Sequence, residues 1–300
     1  VVIGADGRNS TVARLVGARR YSVTDNERAG VVCYYEGVEP HGVLHFYIQG
    51  STYFIGCSSD NGLFMVAPYY DKRDHRRFRE PGGLDDALAT CLPLASVLKG
   101  AVRAGPPQFA SRWQGFFRQS AGPGWALVGD AGHFKDPAPG QGIADAVRQA
   151  ERLAEYVCYG IDTHTLGDQL ARWQHWRDHD AAEMYWWARE FGRGGVQSPV
   201  MVELFRRLAA SPRTLRAGHA VVFHQQRPFR IFSPLRVSGA AARLLVRGGA
   251  PRGKVLADLA SLGARDVHRR WRTHRPRYEE GPGSEAQEVA EDVLQPGIEA

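Results

Sequence analysis

Long apolar runs are missing from this 300-residue chain. None approaches the roughly 20 residues that cross a bilayer as a helix, so no integral membrane segment is expected. Paired cysteine spacings are missing as well. Cys33, Cys57, Cys91 and Cys158 stand far apart, with no CxxC and no Cys/His ligand spacing. That argues against a zinc site and a disulfide framework, and fits free thiols in a cytoplasmic protein. The first residues carry no basic n-region and are not a signal peptide. No internal repeat and no RNA- or DNA-binding motif is evident, so no nucleic-acid partner is expected. The net charge of +6 comes mostly from arginine and reads as a solvated surface.

Hydrophobic residues at 43% and charged residues at 23% suit a globular protein with a sizeable core. Val1 to Ala5 reads as a strand, ended by the turn Asp6-Gly7. With no initiator Met, it reads as a strand already under way, and the chain is expected to begin inside a domain. Ser10 caps a following helix, with Val12, Leu15 and Val16 as its apolar side and Gly17 as its stop. Residues 30 to 70 hold short β-branched and aromatic runs, punctuated by Gly50-Ser51 and Asp60-Asn61-Gly62, which predicts an antiparallel meander. Leu84 to Leu98 predicts one helix. Trp113 to Arg118 and Trp125 to Gly129 predict strands.

Ile143, Ala146, Val147, Ala150, Leu153, Ala154 and Val157 predict an amphipathic helix with that row as its apolar face. From Thr163 onward the pattern is helical, with a long helix interrupted or polar near Arg177 to Asp180. Further helices are expected over 200–210, 212–223, 238–246 and 255–271. Trp173, Trp176, Trp186 and Trp187 read as helix-packing residues. His268 to Arg275 reads as a solvated helix end, and 276–300 as an acidic, disordered tail.

The segment from Trp125 to Ala146 carries the chemistry. A buried strand delivers Asp130 to its C-terminal edge, where open α/β sheets bind ligands and a carboxylate can accept hydrogen bonds from a polyol. Gly129, Gly132, Gly140 and Gly142 let the backbone approach a flat ligand. The helix that follows points its N-terminus, with its unpaired N–H groups and positive dipole end, at the same edge.

This segment resembles the GD motif of the para-hydroxybenzoate hydroxylase-like FAD monooxygenases. Val1 to Ser10 resembles the same family's DG motif. Both motifs occur in order with a β-rich segment between them, and the resemblance covers residues 1 to 160 well and 161 to 225 loosely. It implies an α/β fold: a partial Rossmann-like FAD-binding domain from 1–20 and 109–160, an antiparallel substrate domain inserted at 21–108, and a C-terminal helical region at 161–275. It implies that Gly129 and Asp130 meet the ribityl chain, that Pro137 lies against the isoalloxazine ring, and that the backbone of Gly140, Gln141, Gly142 and Ile143 faces the N1/C2 edge. Asp6 and Gly7 would lie near the pyrophosphate. His133 is the one candidate for a catalytic side chain, against a structural role in the loop. Lys135 and Asp136 read as exposed loop charges.

The pattern departs from the family in two places. Ala144 and Asp145 stand where an Asn is common, and Ala13 stands where the DG motif usually has Arg. No GxGxxG occurs; Gly192 to Gly195 and Gly248-Gly249 lack the strand–turn–helix setting that binds an ADP moiety. The expected activity is an FAD-dependent monooxygenase that takes electrons from NADPH or NADH. It would hydroxylate or epoxidise an apolar small molecule with molecular oxygen through a C4a-hydroperoxide. A flavin-dependent reductase or halogenase of the same fold is the alternative. A chain that binds no dinucleotide is a third possibility.

Overall fold

A computed structural model describes residues 1–274; the expected tail at 276–300, and Arg275 of the basic stretch, lie outside the described residues. The meander expected from 30 to 70 is present. Strands Arg28–Glu36, His45–Gln49, Thr52–Ser58 and Phe64–Asp71 form an antiparallel sheet that Val102–Arg103 and Gln108–Ala110 complete to six strands. Gln49 pairs with Thr52 across the two-residue loop Gly50-Ser51, and Gly50 takes φ +58° there. Alternate residues Val31, Cys33 and Tyr35 turn inward and pack on Leu84, Leu88 and Leu94. The single helix expected over 84–98 is two helices, Gly83–Thr90 and Leu92–Val97. Cys91 leaves helical geometry at ψ 78°, and Pro93, which has no N–H to donate, sits in the first turn of the second helix.

The two ends of the recognised pattern meet in a parallel pair. Val2–Gly4 aligns with Trp125–Leu127, and Gly4 lies so close that an added Cβ would meet the Leu127 side chain at 2.7 Å. The second strand stops at Leu127, short of the expected Gly129, and Gly129–Ala131 forms one 3-10 turn. The helix Thr11–Leu15 is capped by Ser10 as expected, but Leu15 is 82% exposed; Val12 and Ala13 supply the packed side instead. A further sheet pairs Arg20–Asp25 with Gln114–Arg118 and then with His133–Phe134.

The Gly142–Asp162 helix forms as expected, but its apolar face is reversed at the N-terminal end. Ile143 and Val147 are exposed while Asp145 and Gln149 are buried. The long helix Leu166–Phe191 runs without the break expected near Arg177 to Asp180, and Arg177 is fully buried within it. Trp173, Trp186 and Trp187 are buried packing residues. The remaining helices, Pro199–Ala209, Pro212–Val222, Pro228–Ile231, Pro234–Arg247 and Arg252–His274, share a core around Val200, Leu204, Val221, Ala240 and Val255. Several start in the same way: Ser198 and Ser211 accept hydrogen bonds from Met201 and Thr214 N–H, with Pro199 and Pro212 in the first turn. No described helix is long and apolar enough to cross a membrane.

Candidate cofactor site

The end of the parallel pair gathers most of the sequence-predicted site residues. Gly129 follows the strand at φ +61°, a left-handed conformation that favours glycine, and an added Cβ would meet Ala146 at 3.1 Å. Its N–H donates to Gln149 Oε1 at 3.1 Å, which ties the strand end to the Gly142–Asp162 helix. Asp130 comes next. An added Cβ on Gly142 would lie 4.0 Å from an Asp130 carboxylate oxygen, so this acid sits beside the start of that helix. Gln141 at the N-cap makes no side-chain cap. The first N–H groups of the helix therefore have neither an intrahelical partner nor a cap. The Asp130 carboxylate accepts no hydrogen bond among the described residues. Burial, and then the neighbouring Asp145 charge, push its pKa up.

Gly140 closes a turn by donating to Pro137 O at 2.8 Å, at φ +69°. Pro137, Gly140, Gly142 and Ile143 are all exposed on the open side of the loop. Asp6 is a helix cap, its carboxylate accepting from Thr11 N–H at 2.7 Å and Val12 N–H at 3.2 Å. Burial is the largest single influence and raises its pKa, but hydrogen bonds from Ser10 and the helix backbone together outweigh it and hold it low. Gly7 beside it takes φ +81°. His133 lies inside an aromatic cluster, 4.6 Å from the Phe117 ring centroid. Burial drives its pKa well down, so it is a neutral core residue and does not face the open side of the loop.

The loop charges are not surface charges. Lys135 is 5% exposed and pairs with Asp145 at 2.5 Å while donating to Gln141 Oε1 at 2.8 Å. His224 Nδ1 lies 3.0 Å from the other Asp145 oxygen. Burial alone would raise the Asp145 pKa, but His224 and the Lys135 ammonium hold it far below the carboxylate range. Burial lowers the Lys135 pKa more than Asp145 raises it. Gln141 donates to Val221 O at 2.9 Å and Val222 O at 2.8 Å, capping the end of the Pro212–Val222 helix. This buried clamp joins the loop to the C-terminal helices. Only partners from distant segments reveal it, and no sequence signal marked Gln141 or His224 for the role.

Asp136 faces the sheet. It accepts from Tyr69 Oη at 2.8 Å and from Ala138 N–H at 3.0 Å. Tyr69 and Tyr53 cluster with Trp113 and Ala138, so the meander does turn one face to the loop. Arg28 is fully buried, 4.0 Å from the Tyr53 ring centroid, and donates to Gly195 O at 3.2 Å. Burial raises the Asp136 pKa to about 6 against its hydrogen bonds and Arg28. The folded pKa therefore lies above the unfolded value of about 3.9, and the native state holds the extra proton between them. We expect the wild type to lose about 3 kcal/mol relative to Asp136→Asn as pH rises from about 4 to about 6, and the difference to stay level above that. Urea unfolding at several pH values tests this; parallel stability profiles for the two proteins would refute it.

Among the described residues no group of His, Cys, Asp and Glu is placed to hold a metal ion. No protein-family model matches the chain, and no curated protein matches it. Solved structures do share the fold. The flavin-dependent brominase Bmp2 aligns with TM-score 0.56 and 18% identity over 75% of this chain and 57% of its own. The halogenase PltM in complex with phloroglucinol and FAD aligns with TM-score 0.54 and 14% identity over 88% of this chain and 63% of its own. The anhydrotetracycline hydroxylase OxyS from Streptomyces rimosus aligns with TM-score 0.51 and 19% identity over 74% of this chain and 45% of its own. The chain thus spans about half to two-thirds of the length of these proteins. It shares the fold of these proteins: a mixed α/β body with antiparallel sheets and C-terminal helices.

Proposed function

We propose that the chain carries the flavin-facing part of an FAD-dependent oxidoreductase that oxygenates or halogenates an apolar small molecule. The observation that supports this most is the pairing of a half-buried carboxylate that accepts no hydrogen bond among the described residues, Asp130, with the N-terminus of the Gly142–Asp162 helix, which has no side-chain cap, at the carboxyl end of a parallel strand pair. The residues fit the cofactor. Asp130 has acceptor capacity for ribityl hydroxyls. The exposed Pro137, Gly140, Gly142 and Ile143 offer a ledge for a ring, and the helix start offers N–H groups to the ring's electron-rich edge. Asp6 and Gly7 keep the neighbouring turn in shape for a phosphate. Bound flavin would supply the redox chemistry with oxygen, taking electrons from NADPH or NADH. The aromatic sheet residues Tyr53 and Tyr69 would close the far side against water.

The exposed Val2, Ile3, Ile143 and Val147 give this part of the molecule an apolar surface. Hydroxylation and halogenation remain side by side, because both activities occur among the structures that share the fold; a requirement for bromide or chloride in turnover separates them. The test of the site is an FAD titration followed by tryptophan quenching. Loss of a hydrogen bond to a charged group is worth about 1.5–3 kcal/mol, so Asp130→Ala is expected to weaken FAD about 10- to 100-fold. Equal affinities in the two proteins remove Asp130 from the site.

A further inference from the structure

A cavity lies away from the glycine loop. It opens between the end of the Leu166–Phe191 helix, the 192–198 connection, and the Pro199–Ala209, Pro234–Arg247 and Arg252–His274 helices, and it encloses about 660 Å³. That is within the range of small-molecule sites. Aromatic rings supply much of its wall. Trp187 stacks on Phe191 with centroids 5.5 Å apart, and Phe205 meets Phe232 edge-on at 6.0 Å.

Its charges are unevenly satisfied. Arg265 pairs with Glu190 at 2.7 Å, and Arg269 pairs with Asp266. Arg193 lines the same cavity and forms no ion pair among the described residues. On the opposite account, Asp258 also lines it, and its Oδ2 is buried without a hydrogen-bond partner among the described residues. A buried acceptor without a donor costs free energy that an arriving donor recovers. Guanidinium groups without a counterion at a partly desolvated wall favour a planar anion, which they can bind through two parallel hydrogen bonds.

We propose that this cavity binds a flat aromatic small molecule that carries a carboxylate and, separately, a hydroxyl. The carboxylate goes to Arg193, the hydroxyl donates to Asp258 Oδ2, and the ring lies between Phe191, Phe205 and Phe232. The site needs no flavin and stands whether or not Asp130 holds one.

Isothermal titration of the full chain with 6-hydroxy-2-naphthoate, 2-naphthoate and 2-naphthol tests it. The wild type is expected to bind the hydroxynaphthoate most tightly, with about tenfold loss when the carboxylate is absent and a smaller loss when the hydroxyl is absent. Arg193→Gln should erase the preference for carboxylate over naphthol, and Met201→Trp, which fills the cavity, should abolish binding of all three probes. Comparing the three probes on the unsubstituted protein decides the matter even if a variant folds poorly. Equal affinity for naphthoate and naphthol, or no binding of any probe, overturns the proposal. An FAD titration of the same protein reports separately on the glycine loop.

Discussion

Asp145→Asn is expected to cost the fold about 3–5 kcal/mol, the usual range when one partner of a buried ion pair is removed. Lys135 and Asp145 are each 5% exposed and meet at 2.5 Å. Without the carboxylate, the ammonium keeps only neutral acceptors, Gln141 Oε1 and the new amide oxygen, and would have to stay charged with no counterion in a buried setting or give up its proton. Lys135→Met should cost a similar amount, because it leaves the Asp145 carboxylate with His224 alone. The double variant Lys135→Met/Asp145→Leu should recover most of the loss, since a buried pair can often be exchanged for apolar residues at little net cost. The pH sense is fixed by the depressed Asp145 pKa. Its contribution is complete above the unfolded carboxylate value of about 3.9 and disappears as pH falls through the lower folded value. Urea midpoints of the single and double variants measure all of this. Single variants within about 1 kcal/mol of wild type would show that the clamp is not structural. Because the clamp sets the start of the Gly142–Asp162 helix, the single variants should also weaken FAD binding.

Arg177→Met is the second large loss expected, at least about 3 kcal/mol. The Arg177 side chain is fully buried and donates to Gly132 O, to Arg118 O at 2.7 Å and to Asp178 Oδ1 at 2.9 Å. Its guanidinium thereby joins the strand before the glycine loop to the loop itself, across the longest helix. Methionine fills the volume but leaves Gly132 O with the Arg118 N–H and Arg118 O with the Ser120 hydroxyl; each carbonyl loses its bond from the charged guanidinium, worth about 1.5–3 kcal/mol. Arg177→Lys should rescue little, because a single ammonium cannot serve carbonyls that a planar fork reaches together. The readout is the denaturant midpoint with the slope unchanged. A lysine variant as stable as wild type would show that charge matters here and the fork does not.

The legible parts of this protein were those whose physics is local. The turn expected at Asp6-Gly7 is there, and Gly7, Gly129 and Gly140 take left-handed backbone that glycine allows. Alternating β-branched and aromatic residues from 30 to 70 announced the meander, and Ser10 announced its cap. The placement of Asp130 beside a helix start was readable because strand, glycines and helix follow one another in sequence.

Charged residues were misjudged for one shared reason. Lys135, Asp145 and Arg177 look solvent-bound in sequence because their partners are remote: Asp145 for Lys135, His224 for Asp145, Gly132 and Arg118 for Arg177. A polar side chain is buried when its hydrogen bonds are met, and periodicity carries no record of who meets them. The same blindness turned the Gly142–Asp162 helix the wrong way at its start, where Asp145 and Gln149 are inside and Ile143 and Val147 outside. By itself, then, the sequence determined most of the strands, turns and caps, since each depends on neighbours a few positions away. Only the tertiary structure decided which charges became the internal clamp, that Arg177 would sit inside an unbroken helix, and that the C-terminal helices would leave a cavity with an unmatched arginine, because burial is a property of segments brought together from across the chain.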